Sequence, residues 1–369
     1  MNSQKSEQIL LNDHYFLTKP VFGLDATAKS EFLTERLRSL SLQHYKTCDG
    51  YKKLLDAMNF NVERISDHYN IPFLPVTLFK QYELMSVEKD EIIKTMTSSG
   101  TSGQQVSKIY LDRSTAILQT KVLAKIVESY IGSSRLPMII IDSSSVLKDR
   151  SMFSARGAGI QGFSLFGRDK VFALNGNMEL DIEALELFLD KHKGKEILVF
   201  GFTFMIWQHF YKLLKESDLF LDLSKGTLIH GGGWKKLEDE SVSQKDFKEK
   251  IQSVCGIEKI FDYYGMVEQT GSVYMECEYG HLHASSFSDV VIRRAYDFSV
   301  ADIGEEGIIQ VLSVIPESYP GHSLLTEDKG VLLGQDCCPC GRKGKFFKVT
   351  GRLQKAEIRG CSDTYASNF

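Results

Sequence analysis

Short apolar runs alternate with amphipathic segments through the middle of the chain. Four runs have the length and composition of buried strands: LPMIIID (136–142), EILVFG (196–201), GTLIH (226–230) and IEKIFDYYG (257–265). Apolar residues at helical spacing mark the segments between them: DIEALELFLDKHKG (181–194), FMIWQHFYKLLKES (204–217) and ESVSQKDFKEKIQSVCG (240–256). The alternation predicts an α/β architecture in which parallel strands are covered by helices.

The two ends of the chain have different patterns. Residues 28–47 repeat Leu and Phe at helical spacing and predict an amphipathic helix, and IPFLPVTLFK (71–80) predicts an extended segment. Beyond Gly271 the helical pattern gives way to short strand-like pieces separated by turns, such as VVIRRAYD (290–297) and GIIQVLSV (307–314).

For the central helix 181–194 we expect Asp181 as the N-cap and Gly194 as the stop.

Composition excludes several classes of protein. The 369 residues are 43% hydrophobic and 25% charged, and the formal net charge is −4, so nothing draws the chain as a whole to nucleic acid or anionic lipid. The N-terminus lacks the apolar core of a signal peptide. The longest apolar run, ILVFGFTFMIW (197–207), is far shorter than the ~20 residues of a membrane span. We therefore expect a cytoplasmic protein without a membrane span.

Two glycine-rich stretches raise the question of a ligand site. GAGIQG (157–162) has the G-x-G-x-x-G spacing of dinucleotide-binding loops, but no strand directly precedes it and no helical pattern follows. We expect a glycine-rich loop there.

TSSGTSGQQVSK (97–108) combines glycines, hydroxyls and a lysine without forming a Walker A motif. Its backbone N–H groups could bind phosphate oxygens, and from the residues alone a plain loop is an equal alternative.

Two further motifs follow predicted strands. IHGGGWKK (229–236) places three glycines after a strand, where a flat ligand could approach the backbone. FDYYGMVEQTGS (261–272) offers Tyr264 for stacking on a base and Glu268 for Mg²⁺ beside a phosphate. The alternatives are a simple turn for the glycines, a core role for the aromatic ring and a solvated glutamate.

Together these motifs resemble a known family. SSGTSG, HGGGWK, YYGMVEQ, LLTEDKG and TGRLQKAEIRG occur in the order found in the adenylate-forming (acyl-AMP synthetase) superfamily, and with the terminal RGC the chain looks most like the LuxE-type acyl-protein synthetases. The resemblance covers nearly the whole chain. It implies residues 1–350 as an adenylate-forming core, with a helical lead-in (1–90), an α/β part (91–270) and a β-rich part (271–350), followed by a short tail (351–369).

The resemblance also implies a nucleotide site, with ATP and Mg²⁺ as cofactors. The phosphate loop would be Ser98, Ser99, Gly100, Thr101, Ser102 and Gly103. Gly231, Gly232, Gly233, Tyr264 and Gly265 would form the adenine pocket. Glu268 would bind Mg²⁺, Asp328 would bind the ribose, and Arg352 would precede the hinge.

Three departures from the superfamily pattern stand out. The first loop lacks the Pro-Lys of the commoner form, which puts the role of Lys108 in doubt. Val267 replaces the usual threonine and removes a hydroxyl contact. The sequence given has no counterpart of the C-terminal mobile domain or of its adenylation lysine, as in LuxE-type proteins.

Cys361, in RGCSDTY, lies at the position that resembles the acyl-accepting cysteine of the family. The resemblance implies activation of a carboxylic acid, a fatty acid in this family, to acyl-AMP. A thiol can attack this mixed anhydride and keep the acyl group as a thioester, for delivery to a reductase or transferase partner. The alternatives are an acyl- or aryl-CoA ligase, in which CoA is the acceptor, and a catalytically silent partner subunit that binds nucleotide.

The other cysteines suggest a metal site. CEYGHLH (277–283) and CPC (338–340) bring sulfur and imidazole ligands into two short segments. Cys277, His283, Cys338 and Cys340 would complete a tetrahedral structural Zn²⁺ site. The alternative is a reduced cysteine cluster in a turn-rich β region.

Overall fold

The computed structural model describes residues 15–98, 106–147 and 155–353. Most of the strands belong to one large mixed sheet, and helices cover the parallel half of it. The α-helices are α1 (Ala26–Thr47), α2 (Asp49–Ala57), α3 (Leu78–Gln81), α4 (Arg113–Ile131), α5 (Ala155–Phe163), α6 (Ile182–Lys191), α7 (Thr203–Ile206), α8 (Lys212–Glu216) and α9 (Gln244–Cys255).

The strands follow in chain order and alternate with helices only in the middle of the chain. They are β1 (Leu74–Pro75), β2 (Lys94–Thr97), β3 (Lys108–Leu111), β4 (Leu136–Ser143), β5 (Gly167–Leu174), β6 (Ile197–Phe202), β7 (Gly226–Gly231), β8 (Lys259–Tyr264), β9 (Tyr274–Glu276), β10 (Leu282–His283), β11 (Ser288–Arg293), β12 (Glu306–Ser313), β13 (Ser323–Gln335) and β14 (Lys345–Arg352).

Strand order explains how distant segments meet. The large sheet runs β5-β4-β6-β7-β8-β9-β10-β14-β13-β12-β11, with β1 pairing beside β13, while β2 and β3 form a separate antiparallel pair. In this spatial order, the first five strands, β5, β4, β6, β7 and β8, run parallel to one another. From β8 through β9, β10, β14, β13 and β12 to β11, each strand is antiparallel to its neighbour. The predicted α/β architecture with parallel strands is confirmed, and all four predicted strands are present.

The predicted N-cap of α6 is confirmed, whereas α9 begins at Gln244, four residues after the start that the sequence predicted. Asp181 caps α6 by accepting a 3.1 Å hydrogen bond from the Ala184 N–H, and Ser243 accepts from the Asp246 N–H at the start of α9. Helix α6 ends at Lys191, three residues before Gly194, which has a positive φ. The predicted helix at 204–217 is continuous from α7 to α8 through one π-helical turn, Trp207–Tyr211.

The expectation for GAGIQG was wrong, because these residues lie inside helix α5 rather than in a loop. Packing accounts for Gly159. A Cβ on Gly159 would lie 2.8 Å from the Phe202 ring, so glycine lets α5 approach the end of β6 closely. The 164–174 segment that follows is a short 3₁₀ turn and strand β5, and the motif is therefore no dinucleotide-binding turn.

A buried cluster of charges ties the N-terminal helices to the sheet. Asp289 of β11 lies 2.7 Å from Lys345 Nζ and 3.3 Å from Lys29 Nζ, and His68 Nε2 is 3.4 Å from the same carboxylate. The two lysines hold the pKa of Asp289 far below its usual range despite its burial. Since a buried carboxylate is costly without partners, these contacts fix α1 and the 65–70 segment against the antiparallel half of the sheet.

Candidate active site

The stem of the predicted phosphate loop is a closed hairpin. Thr97 of β2 pairs with Lys108 of β3. The Ser98 N–H donates to the Ser107 carbonyl at 3.1 Å, and the Ser98 hydroxyl accepts from the Ser107 N–H at 2.9 Å. Ser99, Gly100, Thr101, Ser102 and Gly103 lie outside the described residues. The hairpin thus delivers both ends of the loop to one place, with the Lys108 side chain exposed.

Glu268 lies beside this stem. It belongs to the short 3₁₀ turn Val267–Gln269 and is 7% exposed, and the Ser107 side chain is near enough to lower its pKa. Burial raises the pKa of Glu268, and the negative charges of Glu327 and Asp328 raise this pKa further. A divalent cation bound to this carboxylate would offset the cost of its buried negative charge and the repulsion from Glu327 and Asp328. The donor chemistry therefore fits Mg²⁺.

The backbone around Glu268 is fixed by two neighbouring side chains. Tyr319 donates its hydroxyl to the Glu268 carbonyl at 2.9 Å. Gln269 donates its amide to the carbonyls of Val311 and Gly321, at 3.1 and 2.8 Å. These contacts anchor the turn that carries Glu268 to β12 and to the segment before β13.

The glycine turn follows β7, which ends at Gly231. A Cβ on Gly231 would lie 2.5 Å from the Tyr263 ring of β8, so only glycine permits this approach. Gly232 has φ +81°, a conformation that glycine adopts without strain. A Cβ on Gly233 would meet nothing within 4 Å, which leaves space open beside the turn. A flat ligand could therefore reach the backbone here.

Tyr264, Asp328 and Arg352 meet at one point although the sequence separates them widely. The Tyr264 hydroxyl donates to Asp328 Oδ2 at 2.7 Å, and Arg352 Nε lies 3.2 Å from Asp328 Oδ1. Asp328 of β13 and Arg352 of β14 are paired across the two strands. Burial raises the pKa of Tyr264 well above its ordinary value, and the negative charge of Asp328 raises it further.

The structure thus brings together most of the described residues that the sequence placed in the nucleotide site. Strands β7 and β8 are neighbours, which sets Gly231 beside Tyr263 and the glycine turn beside Tyr264 and Gly265. Tyr264 binds Asp328, and Asp328 lies close enough to Glu268 to affect its pKa. Cys361 lies outside the described residues.

Sequence reasoning missed a polar pair near the ends of β7 and β8. His230 Nδ1 is 3.0 Å from the Thr203 hydroxyl and 3.7 Å from Asp262 Oδ1. Desolvation lowers the pKa of His230 to about 3, and it raises the pKa of Asp262 well above its usual range. A histidine and an aspartate near the ends of two predicted strands are the signal that could have pointed to this pair.

Glu327 is a second residue that the sequence did not single out. Its carboxylate accepts a 3.3 Å hydrogen bond from Arg352 Nη2, and its carbonyl accepts the Leu353 N–H at 2.9 Å. Burial raises the pKa of Glu327, and the charge of Arg352 acts in the opposite direction. The TEDKG motif contains the residue, but only the pairing of β13 with β14 shows that it contacts Arg352.

A second site brings together the four predicted metal ligands. Ligand atoms of Cys277, His283, Cys338 and Cys340 all lie within 4.8 Å of one another. The Cys277 and Cys338 sulfurs are 3.9 Å apart, and Cys340 Sγ is 3.4 Å from His283 Nε2. Around a tetrahedral Zn²⁺ with ordinary bond lengths, these separations would be about 3.8 and about 3.5 Å. The donor set therefore fits zinc.

This cluster joins two hairpins of the sheet. Cys277 follows β9 and His283 is in β10, while Cys338 and Cys340 lie in the turn between β13 and β14. Burial is the main cause of a lowered pKa of His283, to about 4, and so favours the neutral imidazole that a metal needs. His281 Nδ1 lies 3.3 Å from Cys338 Sγ, just outside the four-ligand set.

Comparison with known proteins agrees with this architecture. The sequence profile of the acyl-protein synthetase family LuxE matches residues 3–369. The chain belongs to the LuxE acyl-protein synthetase family. A long-chain-fatty-acid–luciferin-component ligase of Vibrio harveyi is 22% identical over 91% of this chain and 88% of its own length. The ligase of the same name from Aliivibrio fischeri is 23% identical over 97% of this chain and 93% of its own length.

Solved structures show the same fold. A 2-hydroxyisobutyryl-CoA ligase in complex with 2-HIB-AMP aligns with a TM-score of 0.71 at 14% identity, over 89% of this chain and 69% of the ligase. The open conformation of that ligase, with 2-HIB-AMP and CoA, gives the same score over 90% and 71%. The predictions of an adenylate-forming fold and of an acyl-protein synthetase of the LuxE family are confirmed. Family and fold together support activation of an acyl group by ATP.

No helix within the described residues is long and apolar enough to cross a membrane.

Proposed function

We propose that this LuxE-family chain activates a fatty acid with ATP and then carries the acyl group on Cys361. The observation that carries the first step is the meeting of Tyr264, Asp328 and Arg352 beside Glu268 and the stem of the glycine-serine loop. Support for a fatty acid as substrate comes from the names of the Vibrio and Aliivibrio relatives, both long-chain-fatty-acid ligases.

In the first step a carboxylate oxygen of the acid attacks the α-phosphorus of ATP. A new oxygen–phosphorus bond forms, the bond between the α-phosphorus and the bridging oxygen breaks, and pyrophosphate leaves. The loop that begins at Ser98 would donate N–H and hydroxyl groups to the phosphate oxygens. Asp328 would accept from the ribose hydroxyls, and the glycine turn would lie against the adenine. Glu268 would hold Mg²⁺, which supplies positive charge beside the phosphates.

In the second step the Cys361 thiolate attacks the carbonyl carbon of acyl-AMP. The carbon–sulfur bond forms, the carbon–oxygen bond to phosphate breaks, and AMP leaves with its electron pair. The thioester stays reactive enough for transfer to a reductase or transferase partner. Arg359, two residues before the cysteine in the sequence, would favour the thiolate.

The exchange of labelled pyrophosphate into ATP tests the first step. Purified chain is incubated with Mg·ATP and saturated fatty acids of eight to sixteen carbons, with and without CoA. Exchange that requires a fatty acid supports the proposal. Formation of soluble acyl-CoA at the rate of exchange would point to a CoA ligase instead, and no exchange with any of the acids would point to a silent nucleotide-binding subunit.

We further propose that Cys277, His283, Cys338 and Cys340 bind a structural Zn²⁺. Two separations support this assignment, since Cys277–Cys338 and Cys340–His283 match a tetrahedral site within a few tenths of an ångström. All four ligand atoms lie within 4.8 Å of one another. The metal would cross-link the β9–β10 hairpin to the β13–β14 turn. Because β14 ends at Arg352, this cross-link would stabilise a strand that also carries part of the nucleotide site.

A further inference from the structure

The Arg352 side chain lies between two carboxylates. Its Nη2 donates to Glu327 Oε2 at 3.3 Å, while its Nε lies 3.2 Å from Asp328 Oδ1. Nε and Nη2 form one edge of the guanidinium, the edge that a single carboxylate can bind with both oxygens. In this structure, therefore, two acidic residues share an edge that one of them could occupy alone.

The same chain contains the bidentate arrangement. Arg156 presents its Nε and Nη2 to Asp142, and these atoms lie 2.7 and 2.6 Å from the two carboxylate oxygens. Both contacts are more than half an ångström shorter than those of Arg352. Since a bidentate pair is stronger than two single contacts, an Arg352 without Glu327 would gain by closing on Asp328 in the manner of Arg156.

Such a closure would have a consequence for the site. Oδ2 of Asp328 already accepts the Tyr264 hydroxyl at 2.7 Å. A carboxylate has about four acceptor sites, and a bidentate Arg352 together with Tyr264 would leave about one of them. While Glu327 takes the Nη2 of Arg352, about two sites of Asp328 remain for hydroxyl groups of a ligand.

The backbone fixes Glu327 in this role. The Glu327 carbonyl accepts the Leu353 N–H at 2.9 Å, directly after the register pair formed by Asp328 and Arg352. The side chains of Glu327 and Arg352 are thus held by adjacent positions of two paired strands. Glu327 is half-buried, so solvent weakens its contact with Arg352 less than at an exposed site.

We propose that Glu327 is a positioning residue that keeps Arg352 from binding both oxygens of Asp328 and so leaves Asp328 available to the ribose hydroxyls of ATP. The inference rests on the proposed nucleotide site. It predicts that loss of Glu327 weakens nucleotide binding, although Glu327 need not touch the nucleotide, and that the effect passes through Asp328.

The test measures the dissociation constant of Mg·ATP by calorimetry, together with the unfolding midpoint, for wild type, Glu327→Ala and Glu327→Gln. We expect about 5- to 10-fold weaker binding in Glu327→Ala, a smaller loss in Glu327→Gln, and unchanged midpoints. With fatty acid present, KM for ATP should rise by a similar factor while kcat changes less than about twofold. Glu306→Ala is the matched control, because Glu306 pairs with Lys329 on the same sheet at 2.8 Å.

A double variant separates positioning from a direct contact. In an Asp328→Asn background, Glu327→Ala should cause no further loss of ATP affinity. An equal loss in both backgrounds, or unchanged affinity in the single variant, would overturn the inference. Wild-type protein that binds Mg·ATP but activates no acid contradicts the proposed function alone, whereas wild-type protein that fails to bind Mg·ATP overturns both.

Discussion

The hydroxyl of Tyr264 donates a 2.7 Å hydrogen bond to the carboxylate of Asp328, which lies 64 residues further along the chain. This contact joins the end of the parallel half of the sheet, at β8, to β13 in the antiparallel half. In the sheet, β9, β10 and β14 lie between these two strands, so the sheet has to curve for the two side chains to meet. The nucleotide site that we propose therefore spans the two halves of one sheet.

Removal of the Tyr264 hydroxyl should weaken ATP binding. A hydrogen bond to a charged group contributes about 1.5–3 kcal/mol, and part of this positions Asp328. For Tyr264→Phe we expect KM for ATP to rise about 5- to 20-fold, measured by pyrophosphate exchange at saturating fatty acid. Tyr274→Phe is the control, because its hydroxyl donates to the Asp289 carbonyl and not to a predicted site residue. Equal effects of both substitutions would argue against a specific role for Tyr264.

Replacement of Glu268 by glutamine should change the metal requirement. The buried carboxylate is the predicted Mg²⁺ ligand, and its neutral amide counterpart binds a hard cation less well. We expect the Mg²⁺ concentration for half-maximal exchange to rise at least tenfold in Glu268→Gln, with a smaller change in KM for the fatty acid. Glu306→Gln, on the surface of β12, should leave both unchanged. An unaltered Mg²⁺ dependence in Glu268→Gln would remove this residue from the metal site.

Much of this site could be predicted from the sequence because its motifs are local. The runs around β6, β7 and β8 read as strands from their apolar residues alone, and Gly231–Gly233 follows one of them directly. Two features could not be predicted in this way. Helix α5 contains GAGIQG because tertiary packing against Phe202 outweighs the low helix propensity of glycine. The contact of Glu327 with Arg352 depends on strand register, which local sequence does not specify.

The protein should lose stability in mild acid because of buried histidines. His44 and His322 stack with ring centroids 5.0 Å apart, and both are fully buried. His44 contacts the Ser86 hydroxyl and the Pro316 carbonyl through its two nitrogens. The Ser41 hydroxyl donates to the Leu37 carbonyl and can accept from His322 Nε2, 2.8 Å away. Desolvation lowers the pKa of His44 to about 3 and that of His322 well below its ordinary value.

The sign follows from proton linkage. Above the unfolded-state pKa of about 6.5, neither state binds the proton, and the stabilisation is complete. As the pH falls below this value, the unfolded state takes up protons that the folded state excludes. Each such histidine then costs about 2 kcal/mol of unfolding free energy at pH 5. Urea unfolding between pH 7 and 5 should show this loss, and His322→Gln should reduce its slope by about one proton. A flat profile in the wild type would contradict the assignment.

Loss of one zinc ligand should remove the metal and destabilise the chain. Metal analysis of protein purified without chelator should give about one Zn²⁺ per chain. Cys338→Ser should lose this metal and unfold at a lower temperature, because the β9–β10 hairpin and the β13–β14 turn would no longer be cross-linked. Cys337→Ser is a matched control, since Cys337 is exposed and adjacent in sequence but outside the ligand set. Metal-free wild-type protein would contradict the zinc site.

The central claim is that the chain activates a fatty acid with ATP and then keeps the acyl group on Cys361. Intact-protein mass spectrometry after incubation with Mg·ATP and a fatty acid tests it most directly. The account predicts a mass increase of one acyl group that needs ATP, is removed by neutral hydroxylamine, and is absent in Cys361→Ser, while that variant still exchanges pyrophosphate into ATP. An acyl group retained in Cys361→Ser, or wild-type protein that exchanges pyrophosphate without becoming acylated, would contradict the account.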